Sequence, residues 1–284
     1  MGCQVRETVG LASSESLYAR AQNSTLDPQV GQEVISWTCD ALGVSSHRSY
    51  KNIPFFLSSR GYGLFVNSTC KITYELGTRS LVSYSILVDD ADLDYFLIYG
   101  PSFKHILRRY SDLTGYAPVP PKWSFGLWMS RFGYQNRAEL EEVCEKLRER
   151  DIPCDVVHLD PYWMGGPENW CNFEWDTERF PDPEGMIAWL RKRGFRLCLW
   201  ENPYVPRGTA MFEEGAREGY FVKQEDGSPY LILKPDWTET ELAVVDFTNP
   251  AAVEWYQEKH RRLLSMGVSV FKTDFGEWAP ADGH

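Results

Sequence analysis

Three charged residues follow a short strand-like run near the end of the 284-residue chain. The run V-S-V-F at 268–271 predicts a β-strand, and Lys272, Asp274 and Glu277 come after it. Because side chains alternate across a strand, Lys272 and Asp274 point to the same side. Charged groups at the end of a buried strand are costly to remove from water. They therefore form either a structural salt bridge or a carboxylate that its lysine neighbour keeps ionised and that faces a pocket.

Aromatic side chains are the second feature with chemical meaning. They make up 14% of the residues and include 11 Trp. Several fall near predicted loops: Tyr162, Trp163, Trp170, Trp175, Trp200, Tyr204, Trp237 and Trp278. Flat rings beside carboxylates suit a sugar, which offers C–H faces for stacking and hydroxyls for hydrogen bonds. The alternative is that these rings are buried core.

Composition narrows the possible partners. A formal charge of −11 argues against nucleic acid and anionic membrane, since both require clustered Lys and Arg. No window approaches the ~20 apolar residues of a transmembrane helix. The 7 Cys are scattered without CxxC spacing, so we expect neither a metal site nor a disulfide framework. The start lacks the layout of a signal peptide, and we expect a cytoplasmic protein.

The elements that position the charged residues fall into two regions. Residues 1–30 show no periodicity and are expected to be a poorly ordered leader. Residues 31–117 contain short β-like runs at 53–57, 63–66, 71–76, 81–88 and 95–98, followed by a helical pattern at 101–114. This favours part of an antiparallel β-sandwich. The run P-V-P-P at 118–121 is a stiff hinge and the predicted domain boundary.

After the hinge, strands alternate with helices. Strands are predicted at 123–129, 154–159, 195–200 and 268–271, and a helix at 137–150 that Asn136 and Glu139 cap. A helix opens at Asp182 and another at Asn249, each followed by Pro. The pattern indicates a parallel sheet with its site at the carboxyl ends of the strands. No Gly-rich phosphate loop is present, so a (β/α)8 barrel is favoured. Only four of its units fit in residues 118–284, and we expect a truncated barrel.

Seven motifs occur in order along this region: W-S-F-G-L-W (123–128), H-L-D-P-Y-W-M (158–164), F-E-W-D (173–176), F-P-D-P-E-G-M (180–186), W-E-N-P-Y (200–204), D-F-T-N-P (246–250) and F-K-T-D-F-G-E (271–277). Together they resemble glycoside hydrolase family 31. The K-T-D-F-G-E form is similar to the family's α-xylosidase branch, whereas the α-glucosidase branch more often carries W-x-D-M-N-E. Y-K-N-I-P-F (50–55) and R-G-Y-G (60–63) resemble its N-terminal β-sandwich.

The resemblance implies a role for each matching residue. Asp274 matches the catalytic nucleophile of a retaining enzyme, and Lys272 matches the lysine that contacts the sugar near the cleavage point. Asp160 matches the aspartate that binds hydroxyls of the −1 sugar. Trp200 matches an aromatic wall of that subsite. Asp40 resembles an aspartate that a sandwich loop inserts into the site.

Five further residues have less direct expected roles. Tyr162 and Trp170 match the leaving-group side, and Phe132 matches an aromatic residue after the first strand. Glu277 is expected to orient the side chain of Asp274 or Lys272 without contacting the sugar itself. His158 is expected to be a hydrogen-bonded barrel histidine. The structural alternatives are that Asp160 caps a turn and that Trp200, Tyr162 and Trp170 are packing residues.

The resemblance predicts a retaining, exo-acting α-xylosidase that acts on xyloglucan-type oligosaccharides without a cofactor. The rival of the same family is an α-glucosidase. The rival of another class is a non-catalytic truncated product or a sugar-binding half-barrel. Retaining hydrolysis needs a second carboxyl group as general acid, and we expect it beyond His284. The fragment is therefore expected to be inactive, and the full-length protein could form a homo-oligomer.

Overall fold

The computed structural model describes residues 9–13, 32–37, 52–76, 78, 83–234, 238–276, 278–280 and 282–284. The chain divides into two compact units, Met1–Pro118 and Val119–His284, and the division falls within the proline-rich hinge. Each unit has its own buried core.

Two antiparallel sheets build the first unit. Its strands are β1 (Val9–Ser13), β2 (Gln32–Ser36), β3 (Asn52–Ser58), β4 (Tyr62–Val66), β5 (Ile72–Leu76), β6 (Tyr84–Val88) and β7 (Tyr95–Tyr99). One sheet has the order β1-β3-β4-β7 and the other β2-β5-β6. The helix α1 (Phe103–Thr114) follows them.

Apolar side chains from both sheets fill the space between them. Phe56 and Leu64 on one sheet share a core with Ile72 and Tyr74 on the other. On the outer face of the first sheet, α1 covers a smaller core through Ile106. Alternation of inward and outward side chains produces these two faces. The predicted β-sandwich is confirmed.

The strand β1 differs from the expectation for the N-terminal segment. Residues 9–13 lie in the stretch expected to be a poorly ordered leader, yet they pair antiparallel with β3. Backbone pairing to a neighbouring strand does not need apolar periodicity, which explains why composition gave no signal for it. The remaining residues of the expected leader lie outside the described ranges.

A parallel sheet organises the second unit. Its strands are β8 (Trp128–Arg131), β9 (Val156–Leu159), β10 (Arg196–Glu201) and β14 (Val270–Thr273), in the order β14-β10-β9-β8. The helices α2 (Arg137–Glu149), α3 (Pro183–Lys192) and α5 (Pro250–Met266) connect them. This is the alternation of a (β/α) barrel, so the prediction of about four β/α units is confirmed.

Capping residues determine where three of the helices begin. The side chains of Asn136, Asp182 and Asn249 each accept a backbone N–H at the start of their helices. The reciprocal bond at α2 differs from prediction, since Glu139 accepts from the backbone N–H of Gln135 and not from that of Asn136. The first strand also begins later than predicted, because residues Lys122–Phe125 form a 3₁₀ turn after the prolines.

A second, antiparallel sheet is inserted between β10 and α5 and was not predicted. It contains β11 (Tyr204–Pro206), β12 (Leu231–Lys234) and β13 (Thr238–Val244), in the order β11-β13-β12. The helix α4 (Ala210–Glu218) lies within this insertion. Among the residues that the structure describes, no helix combines the length and the apolar character needed to cross a membrane.

Candidate active site

The carboxyl ends of three parallel strands bring the predicted residues together. In the register of the sheet, Trp200 on β10 pairs with Lys272 on β14, and His158 on β9 pairs with Cys198 on β10. Asp160 comes directly after β9 and Asp274 directly after β14. Because parallel strands end at one edge, five of the predicted site residues meet there.

Asp274 is held from three directions. Its Oδ2 lies 2.9 Å from the Nζ of Lys272 and accepts a hydrogen bond of 2.8 Å from the Nε1 of Trp200. Its Oδ1 accepts the backbone N–H of Phe275 at 3.1 Å. The carboxylate is 17% exposed, so it is partly shielded and still open to solvent. These donors fix the carboxylate in one orientation.

Asp160 shares the same lysine at a greater distance. Its Oδ1 lies 3.7 Å from the Nζ of Lys272 and 3.8 Å from the Nε2 of His158. The Nδ1 of His158 lies 2.8 Å from the Oγ of Ser130 on β8. One ammonium group thus lies between two carboxyl groups, and it is closer to Asp274 than to Asp160.

The two carboxyl groups differ in their pKa values. Burial raises the pKa of Asp274, but hydrogen bonds from Trp200 and Lys272 and the charge of Lys272 outweigh burial and hold it below its usual value. Burial raises the pKa of Asp160 to about 6, since the attraction of Lys272 only partly compensates. At neutral pH, Asp274 is therefore the more firmly ionised of the two.

His158 is neutral at the same pH. Burial and the positive charge of Lys272 lower its pKa to about 4, while the negative charge of Asp274 acts in the opposite direction. The side chain is 8% exposed. A neutral imidazole in this position can donate one hydrogen bond and accept another, but it cannot supply a second positive charge.

Four aromatic rings form a row of edge-to-face contacts beside Asp274. Phe132 and Tyr162 have ring centroids 5.7 Å apart, Tyr162 and Trp170 6.0 Å, and Trp170 and Trp200 5.7 Å. Exposure rises along this row, from 2% for Trp200 and 5% for Trp170 to 68% for Phe132. Trp200 therefore acts here mainly through its hydrogen bond to Asp274, and the open ring surface lies at the other end.

Comparison with known proteins assigns the family. A model described as the glycosyl hydrolases family 31 TIM-barrel domain matches residues 117–284, which is more than half of the chain. The chain belongs to glycoside hydrolase family 31. A model of the family's N-terminal galactose mutarotase-like domain matches residues 3–75, so the motif resemblance is confirmed in both regions.

Two curated relatives of this family 31 chain are α-xylosidases. It is 41% identical to α-xylosidase XylQ of Lactiplantibacillus pentosus, over 98% of the chain and 36% of that protein. It is also 41% identical to an α-xylosidase of Emericella nidulans, over 95% of the chain and 34% of that protein. The chain thus spans about a third of the length of the curated relatives it matches.

A solved family 31 structure has the same fold. The dextranase of Flavobacterium johnsoniae in complex with glucose superimposes with a TM-score of 0.86 at 29% identity. The match covers 98% of this chain and 34% of the dextranase.

Two of the predicted site residues fall in parts of the chain that the structure does not describe. Asp40 and Glu277 lie outside the described residues. Among the residues that are described, no group of three or more His, Cys, Asp or Glu side chains could hold a metal ion.

The sequence did not predict the roles of two residues near the site, Ser130 and Tyr204. Ser130 lies one residue beyond the predicted first strand and reaches His158. The Oη of Tyr204 accepts the backbone N–H groups of Gly276 and Trp278, at 2.8 and 3.0 Å, and so anchors the loop after Asp274. The W-E-N-P-Y motif contains Tyr204, but no periodicity connects it with a loop more than seventy residues later.

Proposed function

We propose that the chain carries the nucleophile and part of the sugar-binding site of a retaining, exo-acting α-xylosidase. The observation on which this depends is the environment of Asp274, with Lys272 Nζ at 2.9 Å and Trp200 Nε1 at 2.8 Å from the same oxygen. A nucleophilic carboxylate must be ionised and correctly aimed, and these contacts provide both. Similarity at 41% identity to two α-xylosidases supports the choice of sugar.

In the first step, an oxygen of Asp274 attacks the anomeric carbon of the terminal α-xylosyl residue. The bond to the leaving oxygen breaks, a general acid gives that oxygen a proton, and a β-linked glycosyl ester forms. In the second step, water loses a proton to the same acid–base group and displaces the carboxylate. The sugar leaves with its original α configuration.

Lys272 has a negatively charged partner both before the attack and in the glycosyl ester. Before attack, its ammonium stabilises the ionised Asp274 at 2.9 Å. When the ester forms, Asp274 loses its negative charge, and Asp160 at 3.7 Å remains as the partner of the same ammonium. A lysine with two carboxyl partners is therefore never left without an opposite charge.

We assign Asp160 to binding hydroxyl groups of the sugar in the −1 subsite. Its side chain is 15% exposed, and an ionised carboxylate accepts hydrogen bonds from hydroxyls. The more open rings of the aromatic row, Tyr162 and Phe132, suit the leaving-group side, where a ring can stack on a sugar face. The carbohydrate is expected to be an oligosaccharide of the xyloglucan type.

The second carboxyl group of the mechanism is not supplied by the pair around Lys272. Retaining hydrolysis places an acid about 5 Å from the nucleophile, with a pKa suited to giving up a proton. Asp160 contacts Lys272 and is assigned to the substrate. We therefore expect no turnover by the 284-residue chain alone, and sugar binding without turnover is the corresponding alternative function.

The test uses the complete gene product and aryl α-xyloside, with aryl α-glucoside as the competing substrate. We expect a higher kcat/KM for the xyloside and a loss of at least about a thousandfold in Asp274→Asn. A 5-fluoroxylosyl fluoride should label the peptide that contains Asp274. Labelling of another acid, or full activity of Asp274→Asn, would end the assignment. A preference for the glucoside would keep the mechanism and change the sugar.

A further inference from the structure

Ser130, His158 and Asp160 form a chain of contacts near the carboxyl ends of the neighbouring strands β8 and β9. The Oγ of Ser130 is 2.8 Å from the Nδ1 of His158, and the Nε2 of the same ring is 3.8 Å from the Oδ1 of Asp160. We propose that Ser130 and His158 form a positioning pair that presents the Nε2–H of a neutral His158 to Asp160 and so keeps Asp160 as the acceptor for a sugar hydroxyl. This inference rests on the proposed role of Asp160 in substrate binding.

The hydrogen-bonding capacities of the three groups select one tautomer. An ionised Asp160 can only accept hydrogen bonds, so the ring nitrogen that faces it is stabilised when it carries the proton. A neutral imidazole has one N–H, so the Nδ1 of His158 must then accept. Ser130 has a hydroxyl proton to donate, and its 2.8 Å contact with His158 is much shorter than its 3.5 Å contact with the carbonyl of Arg131.

The facing atoms of His158 and Asp160 are both buried. Among the residues that the structure describes, neither atom makes a hydrogen bond, and the Oδ1 of Asp160 has the Nζ of Lys272 as an ion-pair partner at 3.7 Å. A buried polar atom without a partner carries a cost of about 1–3 kcal/mol. At 3.8 Å the Nε2 of His158 and the Oδ1 of Asp160 are too distant for a direct hydrogen bond, but close enough for the Nε2–H to stabilise the carboxylate electrostatically.

Burial and the charged groups around His158 keep the ring neutral, so hydrogen bonds determine which of its nitrogens carries the proton. Asp160 faces it from the same segment, Lys272 acts on it from β14 and Asp274 from just after that strand, and Cys198 is its register partner on β10. Burial raises the pKa of the Cys198 thiol to about 12, so that the thiol stays neutral. Burial and Lys272 keep His158 uncharged at neutral pH. Since the ring does not titrate there, the contacts with Ser130 and Asp160 decide which nitrogen holds the single proton.

The first experiment observes the ring directly in the 284-residue chain. Labelling of the imidazole nitrogens with ¹⁵N distinguishes the two neutral tautomers, and His158→Gln identifies the signal of His158 among the 5 histidines. We expect the Nε2–H tautomer at pH 7, and a measurable Nδ1–H population in Ser130→Ala. The side-chain carboxyl carbon of Asp160 should then titrate about half a unit higher, because a lone pair replaces the donor that faced it.

The second experiment measures kinetics with the complete gene product. Loss of one hydrogen bond in the positioning pair should lower kcat/KM for aryl α-xyloside about threefold to tenfold in Ser130→Ala, mainly through KM. Ser130→Thr keeps the hydroxyl and should restore both kcat/KM and the tautomer. Ser124→Ala is the matched control, since it removes a serine hydroxyl that donates to the carbonyl of Pro121.

The outcomes separate this inference from the proposed function. An Nδ1–H tautomer in the unchanged chain, or an Asp160 titration that Ser130→Ala leaves unchanged, overturns the positioning pair. A changed tautomer with an unchanged kcat/KM also overturns it, while the nucleophile assignment remains. Absence of glycosidase activity in the unchanged gene product overturns the proposed function, and the tautomer and titration still decide the role of Ser130.

Discussion

Replacing Trp200 with Phe tests whether the indole N–H of Trp200 keeps the carboxylate of Asp274 ionised. The substitution removes the indole N–H that donates to Asp274 Oδ2 at 2.8 Å and keeps an aromatic ring in the same place. The ion pair with Lys272 and the backbone N–H of Phe275 remain. The change therefore isolates one of the contacts that hold the pKa of Asp274 below its usual value.

The size of the effect follows from the nature of this hydrogen bond. A bond to a charged group contributes about 1.5–3 kcal/mol, and one pKa unit corresponds to about 1.4 kcal/mol. Water can enter the space left by the smaller ring and replace part of the bond. We therefore expect the pKa of Asp274 to rise by about one unit in Trp200→Phe. Since its folded pKa is depressed, the stability that its ionisation contributes is lost as pH falls through that pKa.

The assay is a titration of the side-chain carboxyl carbons by ¹³C NMR in the 284-residue chain. Asp160 serves as an internal reference, because its pKa of about 6 comes from burial and from the charges of Lys272 and Asp274, which the substitution leaves in place; its pKa should change by less than about 0.3 unit. Trp200 is 2% exposed, so the smaller ring should also lower the free energy of unfolding by about 1–3 kcal/mol. Trp189→Phe is the matched control, since Trp189 lies on α3 against Arg193.

Two results would contradict this reasoning. If the Asp274 titration does not move although the variant is folded, the indole N–H does not stabilise the carboxylate. If Asp160 and Asp274 shift together, the effect comes from a general change in burial and not from the loss of one donor. A shift in the control Trp189→Phe would also point to a general change.

Three further predictions concern the surroundings of the site. Burial raises the pKa of Asp160 from 3.8 to about 6, so its ionisation destabilises the folded state as pH rises through about 6. Asp160→Asn should therefore stabilise the chain by about 2–3 kcal/mol at pH 8 and not at pH 4, and urea unfolding that gives equal effects at both would contradict this. A Cβ on Gly133 would lie 2.6 Å from the ring of Tyr162, so Gly133→Ala should displace that ring and raise KM for aryl α-xyloside. In a Tyr162→Ala background, the same substitution should leave KM unchanged. Asn136→Ala removes the N-cap of α2 and should lower the free energy of unfolding by about 1 kcal/mol while the carboxyl titrations stay in place.

The sequence predicted those structural features that depend on interactions between residues close together in the chain. The N-caps at Asn136, Asp182 and Asn249 were found because capping depends on a few adjacent residues. The pairing of Lys272 with Asp274 was found because alternation along one strand is independent of the rest of the fold. The strand and helix order of the second unit follows from the same short-range patterns.

Contacts between distant segments could not be predicted in the same way. Trp200 donates to a carboxylate seventy-four residues later, and that contact depends on the register between β10 and β14. Ser130 was missed because the first strand was predicted to end at 129, whereas the prolines shift its start to Trp128. The inserted sheet β11–β13 was missed because its short strands pair across a long, turn-rich segment.

The unequal environments of the two carboxyl groups explain how one lysine can support two roles. Asp274 receives Trp200, Phe275 and Lys272 as donors, whereas the Oδ1 of Asp160 faces Lys272 only at 3.7 Å. The donors, more than the shared charge, therefore push the two pKa values apart. If Lys272 alone set the two pKa values apart, they would become equal on its removal, whereas the remaining donors from Trp200 and Phe275 should keep the pKa of Asp274 the lower of the two. With the present geometry, Lys272→Met should raise the pKa of Asp274 more, because the 2.9 Å contact is direct.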